Sequence, residues 1–129
     1  MELGKQITEN ITDFIFAGKA IFTLKSLKTG KHYTYKVSKG TKYFFVSVRY
    51  GDEWTDIGSF RKTDMRAFPT WGTSTFSPSM KALSWFLNHI DSDQIEFYHM
   101  GKCAACGRAL TNPESIETGF GPICAEKIL

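Results

Sequence analysis

Apolar residues recur in two different rhythms along the chain. Near the start, Ile7, Ile11, Phe14 and Ile15 lie at i, i+4, i+7 and i+8, and Gly18 follows. That spacing predicts a short amphipathic helix over residues 4–17 with a glycine stop, although its aromatic, β-branched end equally suits the start of a strand. From residue 20 the period becomes two. Residues 20–27 and 32–38 flank Lys28-Thr29-Gly30-Lys31 and read as a hairpin. In the second arm Tyr33, Tyr35 and Val37 face one way and His32, Thr34 and Lys36 the other. The clearest alternation spans residues 42–50, with Phe44, Val46, Val48 and Tyr50 on one face and Tyr43, Phe45, Ser47 and Arg49 opposite. Gly51-Asp52 turns the chain into residues 54–60, so four strands with short turns predict an antiparallel meander.

Residues 61–76 read as a loop with a short extended piece, in which Phe68, Trp71 and Phe76 need partners to pack against. Ser77 then caps a helix with Pro78 at its first position. Its stripe of Met80, Leu83, Phe86, Leu87 and Ile90 is expected to cover the sheet. Residues 94–99 form a last strand. The predicted fold is α+β: an antiparallel meander with an N-terminal helix and one packed amphipathic helix, followed by a small treble-clef-like zinc-binding tail. The division falls between residues 1–95 and residues 96–129.

Composition narrows the class. With 129 residues, 42% hydrophobic and 15% aromatic, the chain has material for one ordinary core. That excludes a disordered tail, a low-complexity chain and an enzyme with separate cofactor and substrate domains. No run approaches the ~20 apolar residues of a membrane span. Met1-Glu2-Leu3-Gly4-Lys5 lacks the apolar stretch of a secretory signal, so the expected location is cytoplasmic.

Charge is unevenly spread. The formal net charge is +3, yet no Asp or Glu lies between Phe14 and Tyr50, a stretch that holds seven lysines and one arginine. Such a one-signed block creates a local positive field that attracts polyanions; alternatively, the lysines keep a strand face soluble. Lys25, Lys36 and Arg49 are expected to share a face with Tyr43 and Phe45, with Lys28 and Lys31 at one end. Rings interleaved with cations suit single-stranded nucleic acid, and Lys102 and Arg108 add contacts.

The three cysteines, Cys103, Cys106 and Cys124, all lie in the last quarter of the chain. Cys103-Ala104-Ala105-Cys106-Gly107 has the form of a metal knuckle, in which the glycine lets the chain fold back over two thiolates. Gly121-Pro122 predicts a helix start that carries Cys124 in its first turn. This is the logic of a treble-clef finger with one structural zinc per chain. Lys127 stands where a fourth ligand is usual, so His99, four residues before Cys103, is the best-placed replacement, with water or Glu117 as alternatives. Such an ion contributes up to ~10–16 kcal/mol in isolated finger peptides.

The stretch H-x3-C-x2-C-G-R-x-L-T-x-P-x-S-I-x3-G-x-G-P-x-C, His99 through Cys124, resembles the C-terminal signature of an uncharacterised family of small bacteriophage and actinobacterial proteins. The N-terminal half is similar to the same phage proteins from Ala17-Gly18-Lys19-Ala20 to Thr29-Gly30-Lys31 and around Phe45-Val46-Ser47-Val48. The resemblance implies zinc on His99, Cys103, Cys106 and Cys124 and a phage origin, hence a host-cell cytoplasm, but no activity. No nucleophile–base or two-metal constellation stands out, so a non-enzymatic protein with no small-molecule substrate or membrane partner is expected. Two functions compete, ahead of a less favoured nuclease. One is nucleic-acid binding, single-stranded or non-specific. The other is a protein-interaction factor that inhibits a host enzyme or defence component, with Trp54 and Trp71 as anchors.

Overall fold

The computed structural model describes residues 5–111 and 113–121. Its strands are β1 (Lys5–Gln6), β2 (Lys19–Ser26), β3 (His32–Lys39), β4 (Tyr43–Tyr50), β5 (Glu53–Arg61), β6 (Ala67–Pro69) and β7 (Ile95–His99). Three helices accompany them: α1 (Ile11–Ile15), α2 (Pro78–Asn88) and α3 (Pro113–Thr118). The strands build one antiparallel sheet in the order β1-β7-β2-β3-β4-β5-β6. The α+β class and the meander β2 to β5 stand as expected.

The sheet is larger than the meander. After α2 the chain crosses back to lay β7 against β2, from Phe22 opposite His99 to Ser26 opposite Ile95. β1 then pairs with the far side of β7. The expected division at residue 96 therefore falls inside a strand that lies between two others.

The N-terminal helix is corrected. Lys5 and Gln6 pair as a strand, the Ile7 amide donates to the Phe97 carbonyl, and Asn10 adopts φ 57°, which no α-helix contains. Helix begins only at Ile11 and lasts five residues. The periodic set was still a burial signal: Ile7, Ile11, Phe14 and Ile15 are all buried. Edge pairing of the first residues outweighed the helical spacing.

Helices α1 and α2 cover one face. Phe14 meets Phe22 and Phe97 edge-on at 6.5 and 5.5 Å, and Phe86 stacks on Phe97 at 6.0 Å. Tyr35 reaches between the layers and donates its hydroxyl to the Ser79 carbonyl at 2.6 Å; burial raises its pKa. Ser77 caps α2 as expected, accepting from the Met80 amide, and Met80, Leu83 and Phe86 are buried. No helix among the described residues is long and apolar enough to cross a membrane.

Candidate nucleic-acid interface and metal knuckle

Antiparallel register places directly opposed residues on the same face. The face away from α1 and α2 can therefore be read row by row. One row runs Lys19–Ser38–Phe45–Ser59–Phe68 across β2 to β6. The next carries Ile21, Lys36, Ser47 and Asp56. Further along, Thr23 faces Thr34 and Tyr98, and Arg49 faces Trp54. The Thr23 and Thr34 hydroxyls are 2.8 Å apart and buried, so this face is close-packed at its middle.

Its rings are accessible at one end. Phe45 is 50% exposed and Trp71, on the loop after β6, is 98% exposed. Trp71 thus has no packing partner among the described residues, against the expectation for that loop, whose turn through Gly72 is held by the Thr73 hydroxyl on the Thr70 carbonyl. Phe68 is half-buried and meets Tyr43 edge-on at 6.1 Å, and Tyr43 lies 6.4 Å from Phe45. The Arg61 and Arg66 guanidiniums stand 5.3 and 5.5 Å from the centre of Phe68. Arg61 is already committed to Asp64 through bonds of 3.0 and 2.6 Å.

The other expected residues divide between this end and the opposite one. Lys36 lies over Trp54, 4.8 Å from its ring centre. Lys25 faces His32 on β3 and Glu96 on β7, at the far end from Phe45 and roughly 20 Å along the strand. Glu96 accepts the Tyr98 hydroxyl at 2.7 Å. Lys28 and Lys31 are exposed in the adjoining turn. Lys25, Lys28 and Lys31 thus stand apart from Phe45, while Lys36, Arg61 and Arg66 lie over rings. Sequence reasoning missed Phe68, Arg61 and Arg66 as surface groups, because their loop gives no periodic signal. A Pro-ended three-residue extended piece, Ala67–Pro69, is the only local cue.

The knuckle abuts the aromatic end. The Lys19 amide donates to the Ala104 carbonyl at 2.7 Å, and the Ala104 amide donates to Gly119 at 3.1 Å. A two-stranded bridge pairs Lys102 with Ala109, and both Lys102 and Arg108 are exposed. Gly107 adopts φ 79° and its amide donates to the Cys103 carbonyl at 2.8 Å, the expected fold-back after the second cysteine. α3 was not foreseen. Its signal was Pro113-Glu114 at a helix start with Gly119 just past the end.

Cys103 is buried and Cys106 half-buried, both as free thiols. Burial pushes the Cys103 thiol up, but bonds from the Gly121, Cys106 and Ala105 backbone and the Cys106 side chain prevail and bring it to about 7. A thiol so surrounded by N–H donors suits a metal-bound thiolate. Gly121 faces its sulfur, since a Cβ there would sit 3.9 Å from Sγ. Cys124, three residues on, lies outside the described residues, as does the helix expected at Pro122. Among the described residues no three His, Cys, Asp or Glu side chains gather closely enough to hold a metal.

His99 is buried, and both of its ring nitrogens are engaged. Nδ1 accepts from the Gly101 amide at 3.0 Å, which leaves Nε2 to donate to the Ile116 carbonyl. Burial holds its pKa below the usual value. As a zinc ligand it would exchange one of these backbone bonds for the metal.

Residues 96–129 match a family of unknown function, DUF6011. No curated protein and no solved structure matches the chain.

Proposed function

We propose that this protein binds nucleic acid, single-stranded or without sequence preference, across the aromatic end of the sheet face opposite α1 and α2, and that the tail is held by a structural zinc. The observation that carries the reading is the cross-strand row Lys19–Ser38–Phe45–Ser59–Phe68, flanked by Arg66 at one end and by the knuckle with Lys102 and Arg108 at the other. Exposed rings supply stacking at ~1–3 kcal/mol per base, and the cations contact phosphates. Cys103, Cys106 and Cys124 would hold the zinc, with His99 as fourth ligand. When bound, the ion cross-links the tail and takes part in no reaction. The resemblance of the tail to small phage proteins supports a phage origin.

Trp71 supports a second reading, a protein-interaction factor acting on a host enzyme, because a ring 98% exposed also serves as an interface anchor.

Fluorescence polarisation with labelled single- and double-stranded oligonucleotides tests the choice. Nucleic-acid binding predicts single-strand affinity tighter than ~10 μM at low salt, falling log-linearly with salt. Phe45→Ala should weaken it by about 5- to 150-fold. No binding at low salt removes the reading and leaves the interaction factor.

A further inference from the structure

Where β4, β5 and β6 meet the loop carrying Trp71, the face opposite α1 and α2 deepens into a groove of about 420 Å³. Tyr43, Phe45, Phe68 and Trp71 supply aromatic lining, and Asp56 and Ser59 supply polar side chains. The two loop threonines on the same wall are already bonded: Thr70 donates its hydroxyl to the Asp56 carbonyl at 3.1 Å, and Thr73 to the Thr70 carbonyl at 2.6 Å. Asp64 nearby is taken by Arg61. Asp56 forms no ion pair among the described residues. The groove thus combines rings for a flat ligand with one carboxylate that only accepts hydrogen bonds, and Arg66 stands beside Phe68 as a partner for an anion.

Resting on the nucleic-acid reading above, we infer that this groove selects an unpaired guanine from a single strand, with Asp56 reading its Watson–Crick edge. The choice of base follows from donor patterns. Guanine presents two adjacent donors, N1–H and the N2 amino group, which a carboxylate accepts in parallel. Adenine and cytosine each offer one amino group beside a ring nitrogen whose lone pair repels the carboxylate. Thymine and uracil offer one imide N–H between two carbonyl oxygens. A flat base fits the space against Phe45 and Trp71, and the phosphate that follows it is within the field of Arg66.

The test compares a short oligothymidine with the same strand carrying a single central guanine, adenine or cytosine, by fluorescence polarisation on the full chain. Guanine should tighten binding by about tenfold over thymine, with adenine and cytosine well below that. Asp56→Asn should remove the guanine preference and leave oligothymidine binding undiminished, because it deletes a negative charge next to the strand. Binding of all four strands with equal affinity overturns the guanine pocket alone. An unchanged preference in Asp56→Asn does the same. If none of the strands binds, the pocket falls together with the nucleic-acid reading.

Discussion

Around Phe14 the sheet half of the molecule brings Phe22 and Phe97 to ring distances of 6.5 and 5.5 Å, with Ile11, Ile15, Tyr35, Leu83 and Phe86 buried around them, and Phe120 of the tail reaches the same ring at 5.8 Å. Between Met100 and Gly121 the buried apolar side chains are Cys103, Ala104 and Phe120. The sheet is held by burial. The tail is held by backbone bonds at Ala104, by one phenylalanine inserted into the neighbouring core, and, as proposed, by an ion. The two regions meet tightly: a Cβ on Gly119, which has φ 81°, would fall 2.5 Å from the Phe14 ring. A segment with so little apolar surface cannot offset its own ordering entropy, so it borrows the neighbouring core and, on the proposed reading, is cross-linked by the ion.

The largest expected effect comes from breaking the part both regions share. Phe14→Ala empties a site that touches the sheet core, Phe120 and Gly119 at once. It should cost ~3–5 kcal/mol in urea unfolding, the range for deleting a buried ring. The sheet and the tail should lose structure together, because Phe120 loses its partner. A variant that unfolds at the wild-type urea midpoint would show that the tail is not docked through this ring.

A smaller effect separates the regions. Cys106→Ser, or a strong chelator, should release one zinc per chain and raise amide exchange across residues 100–121 by more than tenfold, given the size of finger-site binding energies. Amides of β3, β4 and β5 should keep their protection, since nothing in their packing passes through the knuckle. Unchanged exchange in the tail would mean that Phe120 and the backbone bonds suffice without metal.

Legibility in the sequence follows the same divide. The strands of the meander and α2 were readable because each buries alternate residues or one stripe, and periodicity reports burial directly. β1 was not readable: two residues carry no period, and their pairing depends on β7, more than ninety positions away. The position of β7 beside β2 was equally hidden, since its alternation shows a strand but not a neighbour. In the site, Phe45 and Arg49 were legible from the alternation of β4. Trp71 was legible as a candidate exposed anchor and Asp56 lies on the expected strand, but their approach to Phe68 was not legible, because the segment after β5 brings Phe68 and Trp71 back to the sheet without a repeating pattern. The fold-back from Cys103 to Gly107 was legible from the Cys-x2-Cys-Gly spacing, a local signal that needs no knowledge of the rest of the fold.

The smallest expected effect distinguishes the regions by their surface ion pairs. On the sheet side Arg61 grips Asp64 with two bonds, and the Arg66 amide adds a third at 3.1 Å; on the tail side Lys5 reaches Glu117 once, at 3.5 Å. The Arg61 side-chain bond, followed by the Arg66 amide, lowers the Asp64 pKa to about 2. A carboxylate depressed in the folded state stabilises it above the unfolded value of ~3.9, and that contribution disappears as pH falls through about 2. Both partners are exposed, so the effect is small and screened by salt. Carbon-detected titration should therefore place the Asp64 carboxyl midpoint near 2. Asp64→Asn should lower the urea midpoint slightly at neutral pH, and the difference from wild type should close in strong acid. A midpoint near 4 would mean that the two bonds of Arg61 do not persist in solution, leaving that guanidinium as free as Arg66 to meet a phosphate beside Phe68.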